Sequence, residues 1–130
     1  MAEKKILLVD DDKDVLYALN VRLRSKGYQV AVAGDAISAV IAARKEKPDL
    51  IVLDIGLPGG DGFLVMQRLK LLYELALTPI IVVSAREANA ARAQALGAGA
   101  AAYFQKPVNT KEFMLAVEKS LGHVPAGQPT

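Results

Sequence analysis

The chain has 130 residues, enough for one domain with a substantial core. Its 52% hydrophobic content excludes general disorder, and 16 basic against 14 acidic residues is too even a balance to favour nucleic acid or an anionic membrane as partner. The absence of cysteine excludes disulfides and thiolate metal sites, and no apolar stretch approaches transmembrane length.

Short apolar runs alternate with helical patterns, the signature of an α/β protein with a parallel sheet. The first strand is expected at Lys5–Val9, after an N-terminus too short in apolar residues for a signal peptide, so a soluble cytoplasmic protein is expected. A helix follows near Lys13–Ser25, with Val15, Leu16, Leu19 and Leu23 at helical spacing and Gly27 past its end. A second strand near Gln29–Ala33 and a helix near Ala36–Glu46 come next, the latter stopped by Pro48. The third strand is expected at Asp49–Leu53, apolar at successive positions as in a strand covered on both faces.

A loop dense in turn residues, Gly56 to Gly62, leads to a helix at Phe63–Tyr73. Strand four is expected at Ile80–Val83 and an alanine-rich helix at Glu87–Leu96. Strand five follows near Ala101–Phe104. Thr110 is expected to cap a last helix running to Leu121. Residues 1–122 are expected to form the domain, and 123–130, which hold the only histidine, His123, a tail or linker. Met66, Met114 and Phe63 are expected in the core.

Chemistry-bearing residues stand directly after the apolar runs: Asp10 and Asp11, Asp54, Ser84, and Lys106. In open α/β sheets ligands sit at the carboxyl edge of the strands, where these residues would meet. Three carboxylates within about 5 Å repel by roughly 1–3 kcal/mol per pair at effective dielectrics of about 80 down to about 20. Such a cluster needs a cation, and hard oxygen ligands favour Mg²⁺ or Mn²⁺ over Zn²⁺. Asp54 is the candidate nucleophile, because a carboxylate can attack phosphorus and form an aspartyl phosphate. Lys106 would then offset charge on the phosphoryl oxygens and Ser84 would donate a hydrogen bond to one.

The runs Ile6-Leu7-Leu8-Val9-Asp10-Asp11, Leu53-Asp54-Ile55-Gly56-Leu57-Pro58-Gly59-Gly60-Asp61-Gly62, Val82-Val83-Ser84-Ala85 and Tyr103-Phe104-Gln105-Lys106-Pro107, in this order and spacing, resemble the receiver domain of two-component response regulators. The resemblance implies the flavodoxin-like (βα)5 fold with strand order 2-1-3-4-5, an order for which the chemotaxis receiver is a standard example. It implies that Asp54 accepts a phosphoryl group from the phosphohistidine of a sensor histidine kinase or phosphotransfer protein. Asp10, Asp11, Asp54 and the Gly56 backbone carbonyl would serve Mg²⁺. Ser84 and Tyr103 would be the switch pair, Lys106 the phosphoryl partner, and Pro107 would follow a cis peptide bond. Gly56 and Arg86 stand where the family tunes the phosphate's lifetime. The output would be an effector protein or domain, with a homodimer through helix 4, strand 5 and helix 5 as a further possibility. Neither nucleic acid nor membrane would be bound by this domain.

Three rivals read differently. A haloacid-dehalogenase-type phosphatase needs a second Asp two residues after its nucleophile, where this chain has Gly56. A dinucleotide-binding domain needs Gly-x-Gly-x-x-Gly after strand one, where Asp10-Asp11-Asp12 would repel a pyrophosphate. A scaffold that binds partners without phosphorylation would have no need for the complete acidic set.

Overall fold

The computed structural model describes residues 3–57, 61–85 and 88–122. Five strands, β1 (Lys5–Val9), β2 (Gln29–Ala33), β3 (Leu50–Asp54), β4 (Ile80–Ser84) and β5 (Ala102–Gln105), form one sheet in the order β2-β1-β3-β4-β5. All neighbours are parallel, as the flavodoxin-like fold requires. Five helices connect and cover them: α1 (Lys13–Ser25), α2 (Ala36–Glu46), α3 (Gly62–Leu71), α4 (Ala88–Gly97) and α5 (Thr110–Ser120).

Strand alternation sorts the apolar residues into two layers. Leu7, Val9, Ile51, Leu53, Ile80 and Val82 face one side, with Ala39 and Ala43 of α2, Phe63 and Met66 of α3, and Ala91 and Ala95 of α4. Ile6, Leu8, Leu50, Val52, Ile81 and Val83 face the other, with Leu19 and Leu23 of α1 and Phe113, Met114 and Val117 of α5. β1, β3 and β4 are thus buried on both faces, which is why they read as unbroken apolar runs. Gly27 (φ 90°) follows α1 in the left-handed region, where glycine has no Cβ to strain.

Several expected boundaries shift. Asp49 lies outside β3, where its side chain accepts the Lys5 amide at 2.8 Å and its own amide donates to the Lys5 carbonyl at 2.7 Å. β4 extends to Ser84, and β5 sits one residue later than expected. α3 stops at Leu71: Leu72 turns extended (φ −76°, ψ 124°), and a single 3-10 turn, Tyr73–Leu75, follows, which drives Leu75 into the core. Gly97 is the last residue of α4, and the expected start at Glu87 lies outside the described residues. Asn109, not Thr110, caps α5; its Oδ1 accepts the Glu112 amide at 3.0 Å, leaving Thr110 as the first helical residue. The tail 123–130, with His123, also lies outside the described residues. Among the described residues no helix is long and apolar enough to cross a membrane.

Candidate functional site

Register sets the site. Val9 pairs with Leu53 and Asp54 with Val83, so the ends of β1, β3 and β4 are nearly flush, and the residues just past or at them share one edge. Asp10 and Asp54 are 5% and 6% exposed, although both are ionisable; Asp11 is exposed. One carboxylate oxygen from each of Asp10, Asp11 and Asp54 falls within 4.8 Å of the others. The sequence brings these three together as the strand pattern leads one to expect.

Local hydrogen bonds aim them. Asp10 Oδ1 accepts the Asp12 amide at 2.9 Å, and Asp54 Oδ1 accepts the Gly56 amide at 2.8 Å. Asp12 is not part of the cluster; it caps α1, accepting from the Asp14 and Val15 amides. Gly62 holds the loop after Asp54 in place: its amide donates to the Ile55 carbonyl at 3.1 Å, and a Cβ there would lie 2.7 Å from that carbonyl. This close approach was not legible in the sequence, where Gly62 is one of four glycines in a turn-rich run.

Lys106 reaches into the cluster from beyond β5. Its Nζ lies 2.8 Å from Asp10 Oδ2 and 3.0 Å from Asp54 Oδ2. Sequence reading placed Lys106 near the site but not as a bridge between two carboxylates. Its backbone amide is anchored to the Ser84 carbonyl at 2.8 Å, and the Lys106–Pro107 peptide is cis. Burial opposes the Lys106 ammonium, yet hydrogen bonds to Asp10 and Asp54 outweigh it and raise its pKa above the ordinary 10.5. Burial pushes the Asp10 carboxyl above 3.8, only partly offset by the Lys106 and Asp12 hydrogen bonds.

Ser84 ends β4, 1% exposed and at the same edge. Tyr103, in β5 opposite Val82, is 3% exposed and lies in the core layer that includes Ala91, Ala95 and Ala100. The small alanine side chains of α4 leave room for the ring beside the sheet. Gly56 is exposed at the mouth of the site, and a Cβ there would sit 3.4 Å from Asp54 Oδ1. Arg86, Pro58, Gly59 and Gly60 lie outside the described residues.

The donor set fits a hard divalent cation. All three side chains offer oxygen, and one ammonium against three carboxylates leaves two negative charges in excess.

Comparison with known proteins agrees with this geometry. Residues 6–118 match the response regulator receiver domain family. Among solved structures, a CheY-like response regulator receiver domain protein from Methanospirillum hungatei is 29% identical, with a TM-score of 0.85 over 93% of this chain and 95% of its own. The receiver domain of a sensor histidine kinase from Pseudomonas aeruginosa, determined with a magnesium ion in its active-site cleft, is 30% identical, with a TM-score of 0.84 over 93% of this chain and 99% of its own. The beryllofluoride-activated receiver domain of RstA from Klebsiella pneumoniae is 27% identical, with a TM-score of 0.83 over 91% and 98%. With the match spanning nearly all of the sheet and its helices, the chain belongs to the response regulator receiver domain family.

Proposed function

We propose that this domain is a phosphorylation-controlled switch that takes a phosphoryl group onto Asp54 from the phosphohistidine of a sensor histidine kinase or phosphotransfer protein. The observation that carries the reading is the meeting of Asp10, Asp11 and Asp54 within 4.8 Å beside the Lys106 ammonium. An Asp54 oxygen forms the bond to phosphorus as the phosphorus–nitrogen bond breaks, and that bond's electron pair stays on the imidazole. Asp10, Asp11, Asp54 and the Gly56 carbonyl would hold Mg²⁺, with Mn²⁺ as a substitute. When bound, the metal supplies positive charge against the phosphoryl oxygens.

The chain's own residues do the rest. Lys106 gives up carboxylate contacts for the incoming oxygens and keeps its charge throughout, consistent with its raised pKa. Ser84 donates to a phosphoryl oxygen. Tyr103, already inside the core, reads that movement, and phosphorylation favours its inward arrangement over alternatives. The surface of α4, β5 and α5 carries the change to an effector protein, an output domain or a second copy of the chain, in the cytoplasm. Gly56 offers no side chain to shield Asp54 from water, so hydrolysis by the domain itself resets the switch, with Arg86 as the other tuning position.

Incubation with Mg²⁺ and acetyl phosphate tests the reading by intact mass. The expected result is a gain of one phosphoryl group that disappears on hydroxylamine treatment and is absent from Asp54→Ala. No gain by the native chain, or an equal gain by Asp54→Ala, sinks it.

A further inference from the structure

The opposite edge of the sheet has an apolar and basic face of its own. Ile41, midway along α2, is 61% exposed. Tyr73 and Leu77, in the connection from α3 to β4, are 97% and 95% exposed. Two hollows join these groups. One, of about 470 Å³, is lined by Ile41, Arg44, Lys45, Lys47 and Glu74. The other, of about 610 Å³, lies between Lys47-Pro48 and the Tyr73–Leu77 side, and shares Lys47 and Glu74 with the first. Large apolar side chains grouped around hollows mark interaction surfaces more often than isolated ones do.

Charge defines what fits there. Arg44, Lys45 and Lys47 are exposed, and among the described residues none of them is in an ion pair. Of the nearby acids, Glu46 is paired with Lys5 at 3.0 Å, while Asp49, which accepts the Lys5 backbone amide and keeps its charge, lines the second hollow with Glu74 and Lys47. Glu74 alone opposes the three cations in the first hollow.

Lys47 adds a backbone argument. It ends α2 in the left-handed region (φ 48°, ψ 59°), the only non-glycine residue with positive φ among those described. L-residues avoid that region, a residue before proline favours extended backbone, and glycine would take the position freely. A lysine at this position places its cation between the two hollows at a cost in backbone comfort, as residues held for function do.

We propose that this face docks an acidic linear segment of a partner protein, anchored by a bulky apolar side chain, and does so whether or not Asp54 is phosphorylated. The face precedes β3 and β4, whereas Asp54 ends β3. Five residues of strand, about 16 Å at ~3.3 Å per residue, separate the two edges. The inference does not depend on the phosphoryl-transfer reading.

A fluorescein-labelled peptide of alternating Glu and Phe or Leu, and the same peptide with Lys for every Glu, serve as probes against the full chain. The Glu peptide is expected to bind, to shift the amide resonances of Ile41, Lys47, Tyr73 and Leu77, and to weaken with added salt. Lys47→Gly should melt no lower than the native chain yet bind about threefold more weakly, the scale of one exposed charge pair. Tyr73→Ala with Leu77→Ala, both on exposed side chains, should abolish binding without unfolding the domain. Mg²⁺ with beryllofluoride should leave the affinity unchanged. Equal binding of the Lys peptide, shifts confined to other surfaces, no binding at all, or self-association through Tyr73 and Leu77 in place of peptide binding would each overturn the proposal.

Discussion

The Lys106 ammonium lies 3.0 Å from Oδ2 of Asp54, the carboxylate whose other oxygen is held by the Gly56 amide. The same ammonium lies 2.8 Å from Asp10. Without it, two buried carboxylates would face each other uncompensated, and breaking a buried pair from one side costs about 3–5 kcal/mol. Lys106→Met is therefore expected to lose about 3 kcal/mol of stability in metal-free buffer, less to the extent that water enters. Mg²⁺ should restore part of the loss by binding the folded state alone. Urea unfolding with chelator and with excess Mg²⁺ measures both; a variant as stable as the native chain under chelation contradicts the bridge.

Gly62 has no room for a side chain against the Ile55 carbonyl. Both partners are backbone, so neither can yield by changing rotamer. Gly62→Ala should cost about 3 kcal/mol, the upper end of overpacking penalties, because α3 must move. The displaced loop carries Gly56, so divalent-cation affinity should fall along with stability. Isothermal titration with Mg²⁺ beside chemical unfolding separates this from a loss of stability alone.

The α5 cap gives a paired test. Asn109→Ala removes the acceptor for the Glu112 amide and should cost about 1 kcal/mol. Thr110→Ala, one residue on, should stay within about 0.5 kcal/mol, as most surface changes do. Thermal unfolding of the two variants decides between them, and the reverse order would assign the cap to Thr110.

Acid should weaken the α2 cap. Asp35 accepts the Ser38 amide at 2.7 Å and the Ser38 hydroxyl at 3.0 Å, and these bonds, the amide first, hold its carboxyl below 3.8. A depressed carboxyl stabilises the fold at pH above its unfolded value, and that contribution is lost as pH falls through the folded value. Asp35→Asn should thus melt below the native chain at neutral pH, and the gap should close as pH drops below 3.8. A gap constant across that window would show that the charge contributes nothing.

Much of this architecture was legible because local and global preferences agree. β1, β2, α1 and α2 fall at their expected bounds, where Asp12, Gly27 and Pro48 punctuate the pattern. The end of α3 was not legible, since Leu71 to Leu77 holds no glycine or proline and continues an apolar helical pattern. Burial of Leu75 against the core decides that turn, and burial is a tertiary fact. Neighbouring Asn109 and Thr110 are both good caps, so only backbone geometry chooses. In the site, the convergence of Asp10, Asp11 and Asp54 follows from strand order and register. The reach of Lys106 to two carboxylates depends on a side-chain path that spacing does not encode.

The flush ends of β1 and β3 make the aspartate cluster a vernier for the whole sheet. A slip of β1 by a single residue would bring Val9 to the place of Asp10 and turn the carboxylate toward the packed face of a helix. A variant that retains all three aspartates and its helical content, yet no longer takes up a divalent cation, is thereby diagnosed as misaligned between strands. Cation uptake reads out frame, where spectroscopic measures of helix and strand content would report nothing amiss.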